Sequence, residues 1–146
     1  MIQSNVKENK VSKIKLDFKN SKYATGRRKK SIAKVWLKKG SGNIHVNGLK
    51  MNEYFKRPIH QIIVTRPLEI TQAASNYDVK CSVKGGGLSG QAGAIILGIS
   101  KALVADNADL KKTLKKDKLT TRDSRVVERK KYGHRKARRS FQFSKR

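Results

Sequence analysis

The last twenty-five residues, 122–146, constrain the fold of this chain most strongly. They contain eleven lysines and arginines against two acidic residues. Their larger apolar side chains are too few and too scattered to enclose a core, and repulsion between the charges opposes compaction in water. Fully extended, a segment of this length reaches about 80 Å. The sequence therefore predicts a long extended basic C-terminal tail that is suited to lie along a polyanion.

The positive charge is concentrated at the two ends of the chain. Of the net charge of +26, residues 1–39 contribute +11, residues 40–110 contribute +2 and residues 111–146 contribute +13. A nearly neutral middle between two cationic arms is typical of a protein that folds a small core and binds nucleic-acid phosphates with its ends. An anionic membrane surface is the alternative, but the arms lack the long apolar face of an interfacial helix.

The composition also limits the chemistry and the cellular setting. Cys81 is the single cysteine, so no intrachain disulfide is possible, and we expect a small buried residue. No run approaches the roughly 20 apolar residues of a membrane span. The N-terminal residues include Glu8 and Asp17 and no arginine before Arg27, which is unlike a signal or transit peptide. We expect an intracellular protein with no membrane partner.

Catalytic residues are not apparent. The three histidines, His45, His60 and His134, are far apart in the sequence and have no metal-ligand spacing. Carboxylates are scarce, and Asp123 and Glu128 lie among arginines as expected ion-pair partners. We therefore expect neither an enzyme nor a bound metal or other cofactor.

Hydrophobic periodicity places the folded part in the middle of the chain. Alternation predicts strands at residues 31–38, 44–46 and 79–83, and longer periods predict helices at residues 52–55, 68–74, 92–105 and 108–116. Residues 59–64 are ambiguous between helix and strand. The first two strands are expected to form a hairpin, and Pro67 and Asn107 are expected to begin helices. In residues 92–105, Gly93 and Gly98 imply close approach to a sheet.

These elements predict an α+β fold in which helices pack on one face of a small sheet. We expect three parts: a disordered basic extension at residues 1–21, a globular α+β domain at residues 22–118, and an extended RNA-contacting tail at residues 119–146.

A glycine-rich loop lies between the third strand and the longest helix. Gly85, Gly87 and Gly90 match the spacing of a dinucleotide-binding fingerprint, which also requires an acidic residue at the end of a second parallel strand. Asp106 and Asp109 lie at a suitable distance, but in a helical region with no strand after it. The loop amides can instead hold an RNA phosphate, or the glycines only allow a tight turn.

Candidate RNA-binding residues fall into four groups: the cation run after Gly26, the outer face of residues 31–38, the glycine loop and the tail. Lysines beside Trp36 suit RNA backbone and base contact, although a solvated face with one aromatic is equally compatible. Tail aromatics among the cations can stack on bases. The predicted RNA-binding residues are Arg27, Arg28, Lys29, Lys30, Lys34, Trp36, Lys84, Gly86, Gly87, Ser89, Gln91, Arg122, Arg125, Arg129, Lys130, Lys131, Arg135, Lys136, Arg138 and Arg139.

Long motifs resemble a known family. The stretches that match are Tyr23–Ala33, Val83–Ile95, Thr121–Arg125, Glu128–Lys131, Arg135–Arg139 and Gln142–Arg146. They resemble the ninth protein of the small ribosomal subunit, in register over about residues 22–146, and the ending is similar to bacterial and organellar members. The resemblance implies a structural constituent of the small ribosomal subunit that supports translation, in the bacterial cytoplasm or an organelle.

The resemblance also implies a fold, partners and contacts. The fold is a small two-layer α/β sandwich of the ribosomal protein domain-2-like kind. The partners are small-subunit ribosomal RNA in the head, neighbouring head proteins and the tRNA in the peptidyl site. Carried over by position, Lys145 and Arg146 contact tRNA phosphates, and Ser144 lies adjacent to them.

Overall fold

The chain folds as a mixed α/β structure around one five-stranded sheet. The computed structural model describes residues 20–145. In these residues the elements are β1 (Lys22–Arg28), β2 (Ser31–Lys39), β3 (Ile44–Val46), β4 (Leu49–Lys50), α1 (Met51–Tyr54), α2 (Pro58–Ile70), β5 (Tyr77–Lys84), α3 (Leu88–Asp106) and α4 (Leu110–Lys116). The strand order is β1-β2-β5-β3-β4. This arrangement agrees with the predicted α+β class.

The core lies between the sheet and α3, which packs across β1 and β2. Alternation in β2 buries Ala33, Val35 and Leu37, as predicted, and each is at most 2% exposed. The positions of β1 that alternate toward α3 are Ala24, Gly26 and Arg28. Because these residues are small or charged, β1 has no hydrophobic alternation of its own. Pairing with β2 and packing against α3 stabilise it as a strand.

The predicted hairpin between residues 31–38 and 44–46 is wrong, because β5 lies between β2 and β3. The backbone amides of Ser41 and Asn43 donate hydrogen bonds to the carboxylate of Asp78 at 3.0 Å and 2.8 Å. The amide of Val79 donates to the carbonyl of Asn43 at 2.8 Å. These bonds direct the chain across β5, so that β3 pairs in parallel with the far side of that strand.

Asn47 continues this connection after β3. Its side-chain amide donates to the carbonyl of Val83 at 3.1 Å, and its side-chain oxygen accepts the Val83 amide at 2.8 Å. Its backbone is in the left-handed region, with φ of 52°, which asparagine adopts more readily than most residues. The side chain therefore extends the pairing with β5 beyond the end of β3.

Helix α2 runs through Pro67, so the prediction that this proline begins a helix is wrong. Pro58 occupies the first turn instead. Proline inside a helix removes one hydrogen bond and usually costs about 3 kcal/mol. Here the same turn buries Val64, Pro67 and Leu68 against the core. Burial of these apolar side chains offsets the missing bond, and the ambiguous residues 59–64 are helical.

Helix α3 is the central core helix, with eleven buried residues. By length and composition alone it could cross a membrane, with a mean hydropathy of 1.5, so the expectation that no segment approaches such a span is wrong. The predicted close approach is confirmed at Gly98: a side-chain carbon there would meet Val35. One at Gly26 would meet the carbonyl of Ala94. The backbones of β1 and α3 therefore touch.

Helix α4 begins at Leu110, so the prediction that Asn107 caps its N-terminus is wrong. The Asn107 amide instead donates to the carbonyl of Leu103 at 2.8 Å and ends α3, because that carbonyl has no partner within the helix. Leu114 is fully buried, as an anchor of α4 should be. Cys81 is buried as predicted, and desolvation raises the pKa of its thiol to about 12.

Candidate nucleic-acid interface

Two segments that are distant in the sequence meet at one end of the sheet. Lys29 and Lys30 form the turn between β1 and β2, and Lys84 ends β5 directly opposite Ile32. The hydroxyl of Ser31 donates a hydrogen bond to the carbonyl of Gly85 at 3.0 Å, across 54 residues of sequence. We call Lys29, Lys30, Lys84 and the glycine-rich segment at residues 85–90, which runs from the loop into the first turn of α3, the basic tip. It unites two of the predicted RNA-binding groups.

The glycines of the basic tip differ in what they do. Gly85 and Gly86 have φ of 76° and 62°, the left-handed region that favours glycine. A side chain on Gly86 would also collide with the hydroxyl of Ser31. Gly87 lies just before α3, is exposed and has open space around its α-carbon. Ser89, in the first turn of α3, is also exposed. The left-handed backbone, and at Gly86 also the lack of space, therefore favours glycine at positions 85 and 86. Gly87 instead leaves the backbone accessible to a phosphate.

Gln91 braces the loop from inside the helix. Its side-chain amide donates to the carbonyl of Gly85 at 3.2 Å, and its side-chain oxygen accepts the hydroxyl of Tyr54 at 2.7 Å. Both ends of this predicted RNA-binding side chain are thus engaged within the fold. Its role in the structure is to hold the basic tip in shape.

The dinucleotide-binding interpretation of the loop has no support from the fold. Within residues 20–145, α3 leads into α4 and no strand follows it. Asp106 accepts a hydrogen bond from the hydroxyl of Tyr77 at 2.7 Å, which raises the pKa of that tyrosine. The acidic side chain is therefore used inside the fold. In the same part of the chain, no group of three or more His, Cys, Asp or Glu side chains is arranged to hold a metal ion.

The four consecutive cations after Gly26 do not share one direction. Arg27, Lys29 and Lys30 are exposed, whereas Arg28 is half-buried, lies against Gly93 and forms an ion pair with Asp123 at 3.3 Å. Its Nε is buried with no hydrogen-bond partner among the described residues. Arg28 therefore ties the segment after α4 to β1.

The sheet has a second face, turned away from α3, which we call the open face. Its side chains alternate with the buried ones and are exposed or half-buried. Trp36 lies near its centre, with Tyr23 beside it at a ring-centroid distance of 5.4 Å and Lys80 Nζ at 6.0 Å from its ring. Lys34 and Lys38 flank Trp36 along β2. Trp36 is thus part of a cluster of aromatic and basic side chains, not an isolated aromatic.

The two acids of the C-terminal segment pair with arginines, as predicted. Asp123 receives hydrogen bonds from Arg125 at 3.0 Å in addition to the contact with Arg28, and Glu128 pairs with Arg138. Hydrogen bonds from Arg125, together with the charges of Arg125 and Arg28, hold the pKa of the Asp123 carboxyl well below its usual range. Both acids therefore stay ionised at neutral pH.

The remaining cations of this segment make no ion pair within residues 20–145. They are Arg122, Arg129, Lys130, Lys131, Arg135, Lys136, Arg139 and Lys145. Arg135 lies over the ring of Phe141 at 5.4 Å, and an isolated bridge joins His134 to Ser140. Ser144 and Lys145 are exposed. Arg146, the third predicted tRNA contact, lies outside the described residues.

Sequence reasoning missed several basic or aromatic residues that the fold places next to the predicted ones. A groove between β1, α2 and the segment after α4 is lined by Arg66 and Lys118 together with Arg27 and Arg28. Tyr23 and Lys80 lie directly opposite Trp36 on the two neighbouring strands. The alternation around Cys81 places Lys80 on the outer face, but only the strand register brings it to Trp36.

A mixed α/β domain whose basic side chains gather at one end of its sheet and continue into a cationic C-terminal segment belongs to the class of RNA-binding proteins. Residues 26–146 match the family described as ribosomal protein S9/S16. The match covers most of the chain, and the chain belongs to this family. It is therefore a ribosomal protein, a structural and non-enzymatic component of the small subunit that acts in translation within the ribosome.

Proposed function

We propose that this protein binds small-subunit ribosomal RNA in the head of the subunit and reaches the peptidyl-site tRNA with its C-terminal end. The meeting of Lys29, Lys30 and Lys84 around an open glycine loop supports the first part most directly. Cations on two distant segments converge there with no acidic partner in the described chain. This arrangement suits an RNA backbone, which presents phosphates in series.

In this proposal the parts of the chain have different roles. Residues 22–118 are a two-layer α/β sandwich of the ribosomal protein domain-2-like kind, which docks through the basic tip beside neighbouring head proteins. Residues 119–146 extend as a tail through the ribosomal RNA. The predicted disordered extension at residues 1–21 lies almost wholly outside the described residues. The protein acts in the cytoplasm if the source is bacterial, or in an organelle.

Charge removal at the basic tip tests ribosomal RNA binding. The variant with Lys29→Gln, Lys30→Gln and Lys84→Gln is expected to bind small-subunit ribosomal RNA at least roughly 10-fold more weakly. The slope of log affinity against log salt should fall by about 2, because each lost phosphate contact removes about 0.7–0.9 from it. Filter binding across a salt series measures both quantities.

The matched control removes three lysines of α4, with Lys111→Gln, Lys112→Gln and Lys115→Gln. These side chains are exposed and remote from the basic tip. We expect these three substitutions to reduce the affinity for ribosomal RNA by no more than about 3-fold, since the lysines act only through the overall electrostatic field of the protein. Equal losses in both triple variants, or equal binding of ribosomal RNA and random duplex, would contradict a specific interface at the basic tip.

Deletion of Ser144–Arg146 tests the contact with tRNA. Lys145 is exposed and unpaired within the described chain, so the fold and binding to ribosomal RNA should be nearly unchanged. Binding of tRNA to the peptidyl site of reconstituted subunits is expected to weaken modestly, by about 2- to 5-fold, and most visibly at low salt, where phosphate contacts contribute most to affinity. Failure of the subunit to assemble would mean instead that the terminus is structural.

A further inference from the structure

The open face of the sheet has the composition of a surface that binds a polyanion. Its outward positions on β1, β2 and β5 include five cations, Arg27, Lys34, Lys38, Lys80 and Lys84, and one acid, Asp78. The acid is already satisfied, because the amides of Ser41 and Asn43 and the hydroxyl of Ser41 donate to it. Asp78 is the one carboxylate among these outward positions, and cations outnumber it there.

The same face presents aromatic surface at its centre. Tyr23 is 49% exposed, and its ring is tilted by 45° against that of the half-buried Trp36. Burying such rings would stabilise a soluble domain, yet no described element covers them. A nucleic-acid base can stack on an aromatic ring at this kind of site, and cations around the ring neutralise the attached phosphates.

A partner that binds this face has to match both its cations and its aromatic pair. An acidic partner protein would satisfy the lysines but would leave the aromatic pair without a flat planar group. A single strand of RNA satisfies both features, whereas a duplex keeps its bases stacked and unavailable.

We propose that the open face binds a single-stranded segment of ribosomal RNA, with one unpaired base stacked on the Tyr23–Trp36 pair and adjacent phosphates along Lys34 and Lys38. The inference rests on the proposed ribosomal RNA binding and adds a second contact surface to it. The two surfaces are continuous, because Arg27 and Lys84 lie at the end of the open face that borders the basic tip. Base stacking gives this surface a preference for unpaired RNA that the tip, which contacts phosphates, does not have.

Trp36 is the only tryptophan of the chain, so its fluorescence reports on this face alone. The full chain is titrated with a labelled oligoadenylate of about 12 nucleotides, a length within the site sizes of single-strand binders. We expect the anisotropy of the label to rise and the tryptophan emission to be quenched over the same concentration range. Equal quenching by a duplex of the same length would overturn the single-strand assignment.

Three variants separate stacking from charge at the open face. Tyr23→Ala is expected to weaken oligoadenylate binding about 5- to 10-fold, the effect of losing one stacking partner, and Tyr23→Phe should restore most of it. Lys34→Gln with Lys38→Gln should weaken binding at least roughly 5-fold, against less than about 2-fold for the matched pair Lys111→Gln with Lys112→Gln. Far-UV circular dichroism verifies that each variant is folded.

The outcome also distinguishes this inference from the proposed function. Oligoadenylate binding without quenching, with Tyr23→Ala binding as tightly as the native chain, would overturn the open-face site and leave binding through the tip and tail intact. A chain that binds neither oligoadenylate nor small-subunit ribosomal RNA would overturn both. Quenching that is lost selectively in the open-face variants, but is retained in a variant with only Lys29→Gln and Lys30→Gln, would establish the site.

Discussion

Gly26→Ala is expected to destabilise the fold severely. The added carbon would lie against the carbonyl oxygen of Ala94 and 2.6 Å from the amide nitrogen of Gly98, and both are backbone atoms of α3. Neither can move aside without separating β1 from the helix that covers it. Overpacking of a core usually costs about 1–3 kcal/mol and occasionally more. We expect a loss of about 3 kcal/mol or more, measured by urea denaturation.

Gly87→Ala is the matched control for this prediction. Gly87 has a φ of −106°, which any residue adopts, and nothing lies within 4 Å of the position that an added carbon would take. The free energy of unfolding should change by less than about 1 kcal/mol. Alanine is a less favourable N-cap residue than glycine, but it also lowers the conformational entropy of the unfolded chain, and the two effects oppose each other. Similar losses in both variants would show that the close contact at Gly26 does not decide the outcome.

Deletion of Arg122–Arg146 is expected to abolish tight binding to small-subunit ribosomal RNA. The deletion removes eleven cations and two acids. Affinity at about 0.1 M salt should fall at least roughly 100-fold, and the salt dependence should become shallower by several units of slope. Filter binding over a salt series and co-sedimentation with small subunits measure these losses.

The folded part should tolerate this deletion. The described contacts between the removed segment and the domain include the partly exposed ion pair of Asp123 with Arg28, and such exposed pairs contribute little to stability. A tail of the same composition in scrambled order is the control. Full binding of ribosomal RNA by the scrambled tail would show that only the charge of the tail matters. Tight binding by the truncated chain would show that the folded domain alone binds the RNA.

The sequence was most informative where one face of an element is apolar. The alternation of Ala33, Val35 and Leu37 predicted β2, and the stripe in residues 92–105 predicted α3, because burial of those faces determines the local structure. The pattern failed at β1, whose inward residues are small or charged, and at the supposed hairpin. There, hydrogen bonds to Asp78 redirect the chain, and no local signal reveals a partner 37 residues away.

The candidate site shows the same division between local and distant information. Its residue types were visible in the sequence: a cation run, a glycine loop and a basic tail with aromatics. Their assembly was not, because the contact between Ser31 and Gly85 spans 54 residues. Arg28 and Gln91 look like RNA contacts from their motifs, yet the fold uses both side chains internally. Only the packing of neighbouring elements distinguishes a cation that braces the fold from one that faces a ligand.

The two edge strands of the sheet affect how the free protein behaves before it binds its partners. One edge is β4, which has two residues, and the other is β1, which contains Lys22, Arg27 and Arg28. A long flat apolar edge strand is a template on which copies of a chain add to one another. Neither edge of this sheet provides one, since the first is too short and the second repels its own copy. The free protein is thereby protected against edge-to-edge aggregation while it awaits assembly.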